Sequence, residues 1–212
     1  IHKYLSFFIS VQLLLWTVSG IYFAFNKIEL VRGEQYRLTN FSDINLGEID
    51  FDIPKTSNLE IKKRLDQTIL ILSSDSGSSY LNSDGTALDK ISTEMAMLLV
   101  QQNTTLTPIE AEEITSSKKG SEYRGRTLPL MKVISKNEKD KLINVYLNIY
   151  SGEVTAIRSM QWKIWDVMWG FHIMDWQERD NIDNLFLKIF SILALVSSIT
   201  GILLFFKIDF KK

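Results

Sequence analysis

Apolar positions are distributed unevenly along the 212 residues. From Tyr4 to Phe25 there are 22 residues without a charge, and from Ile189 to Phe206 another 18, while nearly all the charge lies between them. At a rise of ~1.5 Å per residue, about 20 apolar residues cross the roughly 30 Å hydrocarbon core of a bilayer. The pattern therefore predicts two spanning helices, over residues 1–26 and 185–207, with a short tail at 208–212. A cleaved signal peptide has an apolar stretch of only ~7–15 residues and a small-residue cleavage site. The first run is longer and continues into the bulky AFNKIELVRGEQ, which favours an uncleaved anchor.

Between the runs the pattern becomes one of strands and turns. QTILILSS (67–74) and SYLNSDGTALDKIS (79–92) read as strand, turn, second strand, a tight Asp84-Gly85 turn and an exit. STEMAMLLVQQN starts a helix with Ser92 as N-cap and Glu94 in its first turn. TLTPIEAEEITSS predicts a second helix by the same logic: Thr107 caps, Pro108 takes the first helical position, and Glu110, Glu112 and Glu113 complement the dipole. LPLMKVISK and KLINVYLNIYSGEVTAIRS then read as strands with a Ser151-Gly152 turn. The expectation for residues 27–160 is a small α+β domain built on an antiparallel sheet.

A helical period returns in WKIWDVMWGFHIMDW, where Trp162, Trp165, Trp169, His172 and Trp176 recur at intervals of three, four, three and four. That spacing is one face of a helix. Indole is apolar in body and polar at its N–H, so residues 161–184 are expected to form a tryptophan-rich helix in the headgroup layer, followed by a connector. His172, one of only two histidines, faces whatever the tryptophans face. An imidazole aimed at an apolar layer costs free energy unless its nitrogens find partners. Two solutions are open: a hydrogen bond to backbone or to Asp175, or coordination of a metal through the neutral ring. DWQERDNIDN reads as a hydrated connector capped by Asp and Asn rather than a cation site, and Lys188 as a side chain snorkelling to the outer headgroups.

Charge sets the orientation. Lys3 precedes the first run and Lys207, Lys211 and Lys212 follow the second, placing both termini in the cytoplasm and the central domain outside, which is the periplasm if the source is a Gram-negative bacterium and otherwise extracellular. A formal net charge of −1 offers nothing to nucleic acid, and without cysteine there is neither a disulfide nor a thiolate metal site. No phosphate-cradling loop, nucleophile–base set or zinc motif is present, so no catalytic residue is assigned.

TLTPIEAEEI, LMKVI and VYLNIYSGEVTAI, taken in order, resemble the PepSY domain, whose strands end in a motif of tyrosine, variable, aspartate, two variable positions and threonine-glycine-lysine-valine. Here Asn148 stands for the aspartate and Ser151-Gly152-Glu153-Val154 for the turn, and YLNSDGTAL looks like a degenerate first copy. HKYLSFFISVQLLLWTVSGIYFAF resembles the first span of PepSY-associated transmembrane proteins, and WGFHIMDW followed by SITGILLFF resembles that family's histidine ahead of a span ending in Thr-Gly. The resemblance covers nearly the whole chain. Its ferric-siderophore-reductase type has about four spans and binds b-type haems through histidines, and this chain looks like half of one.

Depth sharpens what that resemblance implies. His2 starts the first span at the inner face, and Gly20, eighteen residues on, lies ~27 Å higher. The second span descends, so His172 shares the outer level with Gly20, and Gly201 the inner level with His2. A residue without Cβ lets a flat macrocycle approach the helix. The glycines then serve either the packing of a partner helix or, with one histidine and one glycine at each level, haem b, for which a twofold homodimer or another membrane subunit would supply the second axial ligand. The sequence thus supports a haem b protein carrying electrons across the cytoplasmic membrane. The alternative is a non-catalytic accessory or assembly subunit whose PepSY-like domain binds a partner outside.

Overall fold

The computed structural model describes residues 2–39, 43–55, 58–75 and 77–209, and of residues 2–6, 204 and 207–209 the backbone alone. The elements are α1 (His2–Phe25), α2 (Ile28–Val31), β1 (Asn58–Arg64), β2 (Gln67–Ser74), β3 (Gly77–Asn82), α3 (Thr93–Asn103), β4 (Thr107–Ile114), β5 (Leu130–Lys136), β6 (Leu142–Asn148), β7 (Val154–Arg158), α4 (Met160–Ile173) and α5 (Leu185–Asp209). They fall into two units, Glu29–Trp162 and the combination of Ile1–Ile28 with Lys163–Lys212.

The Glu29–Trp162 unit is α+β. Three antiparallel strands in the order β1-β2-β3 form one sheet, four in the order β4-β5-β6-β7 form the other, and α3 packs on β4 and β5. Ser92 caps α3, its hydroxyl accepting from Met95 N at 3.1 Å. Leu99, Val100, Val133, Val145, Leu147 and Ile157 meet in the core, none more than 2 % exposed. Each contributes about 1.5–3 kcal/mol of apolar burial. At the Ser151-Gly152 turn a Cβ on Gly152, whose φ is +72°, would lie 2.5 Å from Leu99 Cδ1, so the turn needs glycine for both conformation and space.

The helix expected over TLTPIEAEEITSS is instead the edge strand β4, paired with β5 from Thr107↔Lys136 to Ile114↔Leu130. Helix propensity in an EAEE run is worth only tenths of a kcal/mol per residue. Strand pairing offers more: Ala111 and Ile114 pack on the core, while Glu112 meets Lys132 at 2.7 Å and Glu113 meets Lys90 at 2.6 Å. Pro108, which cannot donate to a ladder, is accommodated by the edge position and by a bulge between Pro108 and Glu110. Of the carboxylates expected to complement a helix dipole, Glu112 is instead the cross-strand partner of Lys132 on β5, and Glu113 pairs with Lys90 in the segment before α3. The sequence also left β1 unannounced, because NLEIKKR offers only two apolar residues.

The other unit is helical. α1 and α5 are 24 and 25 residues long, and Phe7–Phe25 and Leu185–Leu203 within them are long and apolar enough to cross a membrane. α4 runs into this unit from Lys163 onward. It meets α1 through Gln12, Trp16, Ser19 and Phe23, whose partners on α4 lie between Trp165 and His172. α4 ends at Ile173, and Met174 turns the chain with φ 57°. Trp176 therefore lies beyond the helix, 54 % exposed, and the five-residue face expected from its spacing stops at His172.

Candidate functional site

A helix ending at Ile173 leaves the carbonyls of Gly170, Phe171, His172 and Ile173 without intrahelical donors. All four are satisfied by named groups. Asp175 N donates to Gly170 O at 3.1 Å, the closing bond of a Schellman turn with Met174 in the left-handed position. Gln12 Nε2 donates to Phe171 O at 3.4 Å, Trp16 Nε1 to His172 O at 2.7 Å, and Asn184 Nδ2 to Ile173 O at 2.8 Å. Two of these donors come from the apolar run of α1, where a polar side chain needs a protein partner.

The His172 ring sits at this sealed end. Trp169 stacks on it at 6.2 Å between centroids and 9°, Phe23 meets it edge-on at 5.6 Å, and Trp16 lies 6.3 Å away. Nδ1 is 2.8 Å from Ser19 Oγ, and Ser19 is 1 % exposed. The same hydroxyl is 3.1 Å from Trp16 O. A hydroxyl has one proton, so both contacts are hydrogen bonds at once only if Ser19 donates to Trp16 O and accepts from Nδ1–H. That assignment leaves Nε2 as the basic nitrogen, and among the described residues Nε2 has no hydrogen-bond partner. Burial lowers the imidazole below its ordinary pKa, so the ring is neutral at neutral pH.

The other predicted residues take different places. Gly20 follows Ser19, and a Cβ built on it meets nothing within 4 Å; Gly201 is equally open. His2 opens α1, but its side chain lies outside the described residues. Trp165 and Trp169 stack on each other at 5.5 Å and 11°, and both rest against Phe23. Trp162 is buried in the Glu29–Trp162 unit, with the guanidinium carbons of Arg158 and Arg124 at 4.5 and 5.5 Å from its ring centroid. It is a cation-covered core residue and not an interface anchor. Lys188, expected to reach headgroups, pairs with Asp183.

Sequence reasoning missed Gln12, Trp16 and Ser19, although their spacing of four and three in an apolar run puts them on one face of α1. It also passed over Asp166 and took Arg179 only as part of the hydrated DWQERDNIDN connector. They form an ion pair, Arg179 Nε to Asp166 Oδ2 at 2.8 Å, with the Asp166 side chain 4 % exposed. Among the described residues no group of three His, Cys, Asp or Glu side chains is placed to hold a metal ion. No family model, curated protein or solved structure matches this chain.

Proposed function

We propose that the chain is held in the bacterial cytoplasmic membrane by α1 and α5, with its termini inside and its PepSY-like domain outside, and that His172 is an axial ligand for a b-type haem through which electrons cross the bilayer. The observation that carries this reading is the division of labour on one ring: Nδ1 anchored by Ser19 at 2.8 Å, Nε2 without a hydrogen-bond partner among the described residues. Metal-ligating histidines characteristically fix one nitrogen by a hydrogen bond so that the other presents its lone pair. The open backbone at Gly20, next to Ser19, supports the approach of a flat group.

The residues fit such a group, which His172 would hold through Nε2. A bound b-type haem would supply one-electron redox chemistry. The chain's own part is to orient the imidazole, keep it neutral, and surround it with Trp16, Phe23 and Trp169. A second ligand would come from a twofold-related copy or another membrane subunit. Protein purified from cells with ample haem should give a reduced-minus-oxidised haem b spectrum, and His172→Ala should abolish it or remove one component. A colourless wild-type preparation overturns the reading.

A second reading is favoured by one observation: the ring is already enclosed by aromatic side chains. On that reading the protein is an accessory or assembly subunit and His172 is a packing element. His172→Ala would then leave function intact, and substitutions at Trp165, Trp169 or Gly20 would release a co-purifying partner.

A further inference from the structure

The segment after α4 does more than connect. Met174 and Arg179 both adopt φ 57°, a conformation that costs non-glycine residues free energy and persists where surrounding contacts over-determine it. Those contacts are specific. The Asp175 carboxylate accepts from the backbone N–H of Glu178 at 3.2 Å, Asp180 at 3.1 Å and Asn181 at 3.0 Å, and so holds the loop in a tight fold. Arg179 then reaches back thirteen residues to Asp166, 2.8 Å away.

Its side chain crosses α4 at Gly170, where a Cβ would lie 2.7 Å from Arg179 Cγ, 3.0 Å from Cδ and 3.0 Å from Asp175 O. Asn184 closes the loop, its Oδ1 accepting from Leu187 N at 2.9 Å while its Nδ2 donates to Ile173 O at 2.8 Å. Residues 174–184 are thereby fastened to the last turns of α4 on both sides of His172, at Asp166 and Gly170 before it and at Ile173 after it. A carboxylate 4 % exposed is costly unless it is paired, so the ion pair is a commitment of the fold at this position.

We propose that Arg179 and Asp166 are positioning residues: the strap clamps the C-terminal turn of α4 so that the His172 ring keeps one tautomer, Nδ1–H on Ser19 and Nε2 outward. Its purpose rests on the reading of His172 as a ligand, but the clamp is a property of the protein without haem and is measured without it. Loss of the strap frees the last turn to rotate, which moves Nδ1 away from Ser19 and lets the proton occupy either nitrogen.

The test uses the full chain in lipid nanodiscs with ring-15N-labelled histidine. Two histidines give two ring patterns, and His2→Ala assigns the one from His172. The wild type should show a single Nδ1–H pattern. Arg179→Ala and Asp166→Asn should lose it in favour of an exchanging mixture, and Arg179→Lys, which keeps the cation, should restore most of it. Gly170→Ala should behave like Arg179→Ala although it removes no charge, because the added carbon displaces the arginine. It also serves as the second variant if Arg179→Ala does not fold.

A merely stabilising ion pair would lower the melting temperature and leave the ring pattern unchanged; that result in a folded Arg179→Ala or Gly170→Ala variant overturns the proposal. A wild type with a mixed pattern overturns it equally. A wild type that gives the single pattern yet binds no haem leaves the strap standing and removes the ligand reading.

Discussion

The two units treat charge and polarity in opposite ways. In the Glu29–Trp162 unit, ion pairs such as Lys62–Glu60 and Lys90–Glu113 lie on the surface, with side chains 35 to 48 % exposed, and decorate sheets held by ladders and a dry core. Such pairs contribute little individually, since water competes for both partners. In the helical unit the two long helices expose apolar side chains, the Asp166–Arg179 pair is largely sheltered, and Gln12, Trp16 and Asn184 all donate to the last carbonyls of one helix. The difference teaches where to look for function: a polar group among sheets has many explanations, whereas one in an apolar run is retained for what it touches.

That contrast can be broken most severely from the core side. Leu147→Ala, at a site with no exposure, should cost the sheet unit ~2–5 kcal/mol in denaturant unfolding while the His172 ring pattern stays as in the wild type. A disturbed ring pattern would mean that the two units are energetically coupled. Ser19→Ala comes next. It strands Nδ1 in a half-buried position and should cost ~1–3 kcal/mol by thermal unfolding in nanodiscs, with loss of the single tautomer. Retention of that tautomer would show that Trp169 and Phe23 packing alone orients the ring.

Smaller effects sharpen the comparison. Lys132→Ala removes the partner of Glu112, whose side chain is 57 % exposed, and should change stability by less than ~1 kcal/mol with the β4–β5 register intact by amide NMR. The smallest effect is that of acid. Burial pulls the Asp175 carboxyl upward, but hydrogen bonds from Asn181, Asp180, Glu178 and Gln177 amides outweigh it, and its pKa is below the ordinary value. A carboxyl depressed in the folded state stabilises above its unfolded pKa, and that contribution is lost as pH falls through the folded value. The Glu178, Asp180 and Asn181 amide signals should therefore shift together only below pH ~4. A shift near neutrality would point to a different group.

Much of the architecture was legible from local signals. Ser92 announced α3, QTILILSS announced β2, and LMKVI and VYLNIY announced β5 and β6. The failures share a cause. Thr107-Pro108 followed by glutamates is a sound helix start, yet the ladder to β5 and the packing of Ala111 and Ile114 on the core make it a strand. Trp162 and Trp165 look alike as members of one stripe, but Arg158 and Arg124 claim the first and Phe23 the second. Ser19 is one serine in an apolar run until His172, 153 residues later, is laid beside it.

Taken alone, the sequence determined the two long apolar helices, the antiparallel strands between them, the absence of thiol chemistry and the prominence of His172, because hydrophobic period, length and composition are properties of neighbouring residues. Only the tertiary structure decided which imidazole nitrogen is anchored, what closes the end of α4, that Arg179 returns to Asp166 across a glycine, and that β4 is a strand. Each of these depends on groups that the chain separates and the fold brings within hydrogen-bonding distance, and no local pattern encodes such a meeting.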